Sequence, residues 1–458
     1  MSNEKSRRSV LAGTAAAGAL GLAGCLSGLT GGDESEGNEQ LTFWHAMGGG
    51  SGDLLNDMVE GYEGADGQAE YQGSYEETLN SLFSSIEADE MPDVVMIDSL
   101  HNQQVLDTEA TQPVSELLGD DFPTDDLVSA VQDFFVVDGQ LNSMPFNNSN
   151  AILYYNKDAF EEAGLDPEQP PETLEDVREY SEAIVDSGAA NYGITWPNHV
   201  WFVETFYSLA DELLLDNENG HAGSPTTIHT DTDFARDLWS WWQGMYEDDL
   251  FLNSGIEAWG EARSAFLTGE AAMKLDSTAA VEATLSGAQG DVEDNEEIDE
   301  EDVDTFELGT GYHPSPTEDR TGVVIGGASL WVSNQMSDER EEEVAGLLEE
   351  LSSIENQIEW HKGSGYYPIR QEAISQLEDD GWFEDNTHYA TAFDQLLESE
   401  TTPATLRMLV GPAREVQLRV QERSQEIFAG DVSVEDGLAS MKSDVEEELE
   451  RYDRVSGQ

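Results

Sequence analysis

Cationic side chains are scarce in this chain, which gives the few that remain a meaning. Its 458 residues include 97 Asp and Glu against 19 Lys and Arg, a formal net charge of −78. Arg407 stands in Thr405-Leu406-Arg407-Met408-Leu409-Val410-Gly411-Pro412, an apolar, non-acidic setting unlike most of the chain. A guanidinium shielded in this way can hold an anion through forked, charge-assisted hydrogen bonds. It can equally close a buried structural ion pair. Ser149 and Ser277 offer hydroxyls but have no base beside them in sequence. Trp196 and Trp201 lie in Thr195-Trp196-Pro197-Asn198-His199-Val200-Trp201, a loop-like segment after a strand. Exposed rings at a strand end suit stacking on the CH face of a ligand. Trp239, Trp242 and Tyr246 recur at helical spacing instead and read as core.

Other chemistries lack their residues. The eight histidines are scattered without a His-x-x-x-His or His-Glu-x-x-His pair, so no metal site is expected. There is no Gly-x-Ser-x-Gly elbow, and Cys25 is the only cysteine, which leaves no disulfide, thiolate site or cysteine nucleophile in the body. Carboxylates are too numerous for any pair to be singled out as acid and base, so no catalytic residue and no cofactor are expected. A surface phosphodiester hydrolase is the enzyme alternative, and it has no motif behind it. With no basic stripe to neutralise phosphates, nucleic-acid binding is excluded. The acidic excess spread along the chain reads as a solvated coat of the halophile kind. The glycines of Gly48-Gly49-Gly50-Ser51-Gly52 open a helix whose free amides could cradle an anion. They lack both the phosphate-loop lysine and the dinucleotide spacing, so a simple turn is the stronger reading.

These side chains need elements to position them. Strand-like runs at 40–45, 69–72 and 91–98 alternate with helical stretches at 53–62 and 75–88, which predicts an α/β sheet flanked by helices. Ligands of such sheets sit at the carboxyl ends of strands, here at His45, Asp98 and Ser99. Pro145 opens an extended piece, 151–155 is an apolar strand, and Asn156, Asp158 and Gly164 delimit a short helix. A further helix is expected from Thr173. Later strands are expected at 192–195, 271–275 and 323–332, with helices dominating after 339. The run 291–304 is almost wholly acidic and reads as an exposed or partly disordered insertion.

The N-terminus reads as a processing signal. Arg7-Arg8-Ser9-Val10-Leu11 is a twin-arginine start, and a short apolar run leads to Leu22-Ala23-Gly24-Cys25, which resembles a lipobox. Cys25 is therefore the expected lipidation site. Residues 1–24 would be the Tat/lipoprotein signal and 25–40 a flexible tether. The folded body would sit on the outer face of the cell membrane.

Several blocks together carry a resemblance. They are Phe43-Trp44-His45-Ala46-Met47-Gly48, Pro145-Phe146-Asn147-Asn148-Ser149 through Leu153-Tyr154-Tyr155-Asn156-Lys157-Asp158, and Phe266-Leu267-Thr268-Gly269-Glu270-Ala271-Ala272-Met273. Ile325-Gly326-Gly327-Ala328-Ser329-Leu330-Trp331-Val332 and Glu359-Trp360-His361 with Gly365-Tyr366-Tyr367-Pro368-Ile369 follow in the same order. From about residue 41 to the end, the chain resembles the extracellular solute-binding proteins of ABC importers, the maltose-binding-like family 1, and within it the glycerol-3-phosphate branch.

That resemblance implies a two-lobed, periplasmic-binding-protein-like clamp, each lobe a mixed sheet flanked by helices, with three hinge crossovers near 146–150, 308–313 and 352–356. The lobes would comprise 41–146 with 314–353 and 147–313 with 354–458. Carried over position by position, the ligand contacts would be Tyr75, Ser149, Ser277, Gly327, Tyr366 and Arg407. Ser99, beside Asp98, falls where relatives have an acidic contact, and Trp196 and Trp201 are spaced more widely than the paired tryptophans of relatives. The implied ligand is glycerol-3-phosphate or a glycerophosphodiester, with a sugar as the alternative. The implied partners are an ABC permease and its ATPase, and a monomer is expected.

Overall fold

The structure is a computed structural model describing residues 40–119, 122–292, 303 and 305–456. The expected signal at 1–24, the tether from Cys25 to residue 39 and nearly all of the acidic insertion lie outside these residues. Among those described, no helix is long and apolar enough to cross a membrane.

Thirteen strands are described. In chain order they are β1 (Leu41–His45), β2 (Gly67–Tyr71), β3 (Val94–Asp98), β4 (Thr111–Gln112), β5 (Val136–Val137), β6 (Gln140–Leu141) and β7 (Met144–Ser149). Then come β8 (Ala151–Asn156), β9 (Tyr192–Asn198), β10 (Phe251–Ile256), β11 (Ala271–Ser277), β12 (Leu308–Tyr312) and β13 (Gly326–Ser333). One sheet runs β2-β1-β3-β13-β4, with β7 also pairing β13 along the edge it shares with β4; a second runs β10-β9-β11-β8-β12; β5 and β6 form a separate ribbon. Parallel strands come from strand–helix–strand units, whereas β13 runs antiparallel to both β3 and β7. The architecture is thus mixed α/β in two sheet-centred lobes flanked by helices.

The stretch 145–156 joins the two sheets. β7 pairs with β13 in the first and β8 with β11 in the second, and only Asn150 separates them. The first crossing therefore falls at Asn150, and residues 147–149 belong to the first sheet rather than the second. Along β8, Ile152 and Tyr154 enter one apolar cluster while Ala151, Leu153 and Tyr155 enter another, as the period of two requires. Asn156 then caps Lys157–Ala163 by accepting from the Ala159 amide, and Gly164 closes that helix in the left-handed region at φ 77°. Thr173 and Asp176 form a reciprocal capping box at the head of Leu174–Ser187.

Three expectations are corrected. The first helix spans Gly49–Glu60 and begins four residues early. Gly52 packs on the Met47 carbonyl so closely that a Cβ there would lie 2.4 Å from its oxygen. The glycine run is therefore the first turn of the helix. Second, 308–313 is chiefly β12, an edge strand of the second sheet that hydrogen-bonds to β8. Third, the helix Ile354–Ser364 packs on Gly49–Glu60, and its Trp360 ring lies 4.9 Å from Phe146. It thus belongs with the first sheet, and the chain crosses for the last time beyond it, not at 352–356. The strand β10 had no sequence expectation.

Candidate functional site

The two sheets present matching ends to each other. In the first lobe the carboxyl ends of β1, β3 and β7 meet the amino end of β13, because Ala328 pairs with Asp98 and Gly326 with Ser149. In the second, the carboxyl ends of β9 and β11 lie beside the amino end of β8, with Ser277 opposite Ala151. Strand ends of α/β sheets are where ligands bind, since the loops leaving them are free to carry side chains.

On the first-lobe side Tyr75 heads the helix Tyr75–Ala88, whose Ser74 cap and Glu77 form a capping box. The Asn147 amide donates to Tyr75 Oη at 2.7 Å, and Tyr75 and Tyr366 are hydrogen-bonded to each other. Burial pushes both phenols up, Tyr75 well above its ordinary value, so both remain neutral donors at physiological pH. Tyr366 stacks on Trp360 at 5.9 Å with the planes 5° apart, which fixes the ring from behind. Ser149 is buried at the end of β7. Gly327 adopts φ +90°, and a Cβ there would fall 1.9 Å from the Asn147 carbonyl oxygen, so only glycine permits the bulged pairing of β7 with β13.

From the second lobe, Trp201 lies against the first: a Cβ on Gly326 would come within 2.6 Å of its ring. Trp259 is 6.4 Å from Trp201, and Phe202 lies beside both. Ser277 caps the turn after β11 by accepting from the Ala279 amide, while its carbonyl accepts from the Tyr154 hydroxyl at 2.6 Å. Asn147 Oδ1 and Trp201 Nε1 are buried and make no hydrogen bond among the described residues. A polar group held between the lobes would find both an acceptor and a donor there.

Arg407 spans the lobes. Its Nη1 donates to Ser99 Oγ at 2.8 Å and to Asp98 Oδ1 at 3.2 Å, and its Nε donates to Glu204 Oε2 at 3.2 Å. One guanidinium therefore faces two carboxylates. Burial pushes the Glu204 carboxyl up, opposed by Arg407 and by the Met408 amide it accepts from. Beside Ser99, the Asp98 carboxylate accepts from Arg407 and from the Leu100 amide. His199, nearby, is held neutral by burial and by the Arg407 and Arg414 charges, which bring it down to about 3.

A second ionic group closes the other flank. Arg263 grips Asp276 with Nε at 2.8 Å and Nη2 at 3.2 Å, and Lys274 Nζ reaches the same carboxylate at 2.9 Å. Burial penalises the Asp276 carboxylate, but Arg263 and Lys274 outweigh it and hold its pKa far below the ordinary carboxylate range. Lys274 is pushed down by its own burial to about 8, against the pull of Asp276.

The structure brings Tyr75, Ser99, Ser149, Trp201, Ser277, Gly327, Tyr366 and Arg407 to the facing sheet ends. Trp196 is not among them. Its ring is fully buried within the second lobe, 4.3 Å from Phe251 and 5.1 Å from Trp242, because residue 196 points into the apolar side of β9. Trp239 and Trp242 are core as expected, whereas Tyr246, one helical turn on, is 37% exposed. Sequence reading missed Glu204, Trp259 and the Arg263–Lys274–Asp276 group. Each left a trace: Glu204 is the one acid in the apolar helix Val200–Leu209, and Lys274 and Asp276 break the apolar run of β11 on one face.

Residues 60–391 match the bacterial extracellular solute-binding protein family profile. The sn-glycerol-3-phosphate-binding periplasmic protein UgpB of Shigella dysenteriae is 27% identical over 454 residues, covering 96% of this chain and 98% of that protein. The protein of the same name from Escherichia coli K12 is 26% identical over the same shares. Among solved structures, UgpB from Mycobacterium tuberculosis in complex with glycerophosphocholine superposes with a TM-score of 0.72 at 17% identity, covering 91% of this chain and all of that one. The cyclic α-maltosyl-1,6-maltose binding protein from Arthrobacter globiformis gives 0.73 at 21% identity, covering 90% and 99%. With two sheet-centred lobes meeting at their strand ends and the profile matched over most of its length, this chain belongs to the bacterial extracellular solute-binding proteins.

Proposed function

We propose that this protein is the capture component of an ABC importer that takes up sn-glycerol-3-phosphate or a glycerophosphodiester and delivers it to a permease and ATPase. The observation that carries the reading is the polar ring at the facing sheet ends, Tyr75–Asn147–Tyr366 with Ser149 and Ser277, walled by Trp201 and Trp259. A few placed hydroxyls and amides between aromatic walls are what a small polyol ester requires. The near-complete alignment with glycerol-3-phosphate-binding proteins supports the phosphate ester as ligand. Lobe closure would then create the surface a permease reads.

The lobes of this reading are 41–149 with 326–364, and 151–312 with most of the later helices. Export through the twin-arginine route, lipidation at Cys25, life in high salt and a monomeric state belong to the same proposal. The signal residues and the acidic coat of −78 support them. One observation favours a second ligand class: Arg407 is already faced by Asp98 and Glu204, as suits a neutral sugar. Titration calorimetry in molar potassium chloride separates the two. Heat with glycerol-3-phosphate and none with maltose is the expected result; the reverse gives the site to a sugar.

A further inference from the structure

We infer that Arg263, and not Arg407, supplies the positive charge that holds the phosphate of an ester bound between the lobes. The inference rests on the phosphate-ester reading above and deepens it by naming the residue that sets the charge preference.

Charge balance favours Arg263. Three cationic groups stand at the facing sheet ends. Arg407 is buried and answered by Asp98 and Glu204. Arg414 is answered by Glu257 and by Glu76, the latter at 3.5 Å. Only the third group has cations in excess, with Arg263 and Lys274 sharing the single carboxylate of Asp276. A phosphate entering beside Arg407 would be the third anion around one guanidinium. Beside Arg263 it would complete a two-against-two arrangement.

Access favours it too. Lys274 is 1% exposed and lies beneath the Tyr154 and Phe266 rings, so its ammonium cannot reach a ligand. The Arg263 side chain is 39% exposed; Nε and Nη2 grip Asp276, and Nη1 has no hydrogen-bond partner among the described residues. A planar guanidinium held by one edge and open at the other is a suitable anion receptor, because its orientation is fixed before the ligand arrives.

Its position agrees. Arg263 lies four residues after Trp259 on the helix Trp259–Leu267, so the two share one face. Asp276, its anchor, immediately precedes Ser277 at the carboxyl end of β11. The Arg263 charge also helps to lower the Tyr366 phenol against the upward push of burial, which places the guanidinium within electrostatic reach of the Tyr75–Tyr366 pair. Trp259 and Arg263 on one helix face and Ser277 beside Asp276 thus group at the second lobe's sheet end.

The test compares Arg263→Gln, Arg263→Lys and Arg407→Gln in the full chain at about pH 7.4, where Lys274 is still largely charged and the monoester largely dianionic, and molar salt. Calorimetry measures each against dianionic glycerol-3-phosphate and the monoanionic diester glycerophosphoglycerol. Arg263→Gln should weaken glycerol-3-phosphate roughly tenfold to a hundredfold and the diester distinctly less, while Arg263→Lys keeps the preference for the dianion. Arg407→Gln should weaken both ligands in similar proportion, as loss of a contact between lobes does. Unchanged glycerol-3-phosphate affinity in Arg263→Gln, or an equal loss for both ligands, overturns the inference while leaving the phosphate-ester reading standing. A wild-type protein that binds neither ester overturns that reading itself. Should Arg263→Gln fail to fold, Arg263→Lys decides: a folded protein without the dianion preference sinks the proposal.

Discussion

The two ionic groups at the facing sheet ends are built from the same residue types and do different things. Arg407 joins carboxylates from both lobes, Asp98 at the end of β3 and Glu204 on the helix Val200–Leu209. Separating the lobes must break it. Arg263, Lys274 and Asp276 all belong to the second lobe, so their geometry is independent of lobe position. The first has a carboxylate in excess and the second a cation. Ion pairs in one protein can thus be divided by asking which rigid body each partner rides on, and the answer separates a conformational tie from a ready-made receptor.

The largest effect should come from Asp276→Asn. It leaves Arg263 and Lys274 facing each other without a counter-charge, Lys274 almost wholly buried. A loss of about 3–5 kcal/mol is expected, read as a lower urea midpoint with unchanged slope. A loss below about 1 kcal/mol would show that the cations relax into water and that the receptor is not preformed.

Arg407→Gln should cost less, about 2 kcal/mol, because opening the lobes lets Asp98 and Glu204 rehydrate. The variant should therefore be more open, with a larger radius of gyration by small-angle scattering. An unchanged radius would mean that Arg407 ties nothing together.

The two groups also respond in different pH windows. His101, His199 and His221 surround the Arg407 loop, and burial leads the causes that lower all three. A histidine whose folded pKa is depressed contributes stability above its unfolded value of about 6.5, and that stability drains away as pH falls. Going from pH 7 to 5.5 should cost about 1 kcal/mol for His199, at about 3 in the fold, and less for the others. Lys274, at about 8 when folded, has the same sign in a higher window. The penalty on its buried ammonium is relieved as pH rises from 8 toward 10, a gain of about 2 kcal/mol. Urea midpoints across both windows, repeated in Lys274→Met, check this: the alkaline gain should vanish in the variant and the acid loss should remain.

Arg414→Gln should matter least. Its contact with Glu76 crosses between the lobes only at an exposed rim and 3.5 Å, and its pair with Glu257 is part-exposed, so about 1 kcal/mol at most is expected. A larger loss would make the rim, and not Arg407, the principal tie.

Much of this arrangement was legible in the chain. The β7–β8 passage, its caps and the strand-end positions of Asp98 and Ser99 follow from proline, period-two patterning and capping residues, whereas Ser149 and Ser277 are marked by the family resemblance. These are local signals written in a few consecutive residues. The surroundings of Arg407 were not legible, because Asp98 and Glu204 stand 309 and 203 positions away and only folding brings them together. Trp196 misled for a related reason: nothing in Thr195-Trp196-Pro197 says which face of β9 will be covered by the later aromatics Trp242 and Phe251. The acid in an apolar helix and the alternating Lys274 and Asp276 were visible, yet each acquires meaning only from a partner elsewhere in the fold.

Trp201 resting on Gly326 gives the molecule an optical gauge of its own state. The indole belongs to one lobe and the bare backbone beneath it to the other, with no side chain between them. Any opening uncovers that ring, while Trp196, Trp239 and Trp242 stay sealed inside the second lobe. The red-edge emission of the native protein should therefore report lobe separation without an attached dye. Trp201→Phe supplies the blank against which that signal is read.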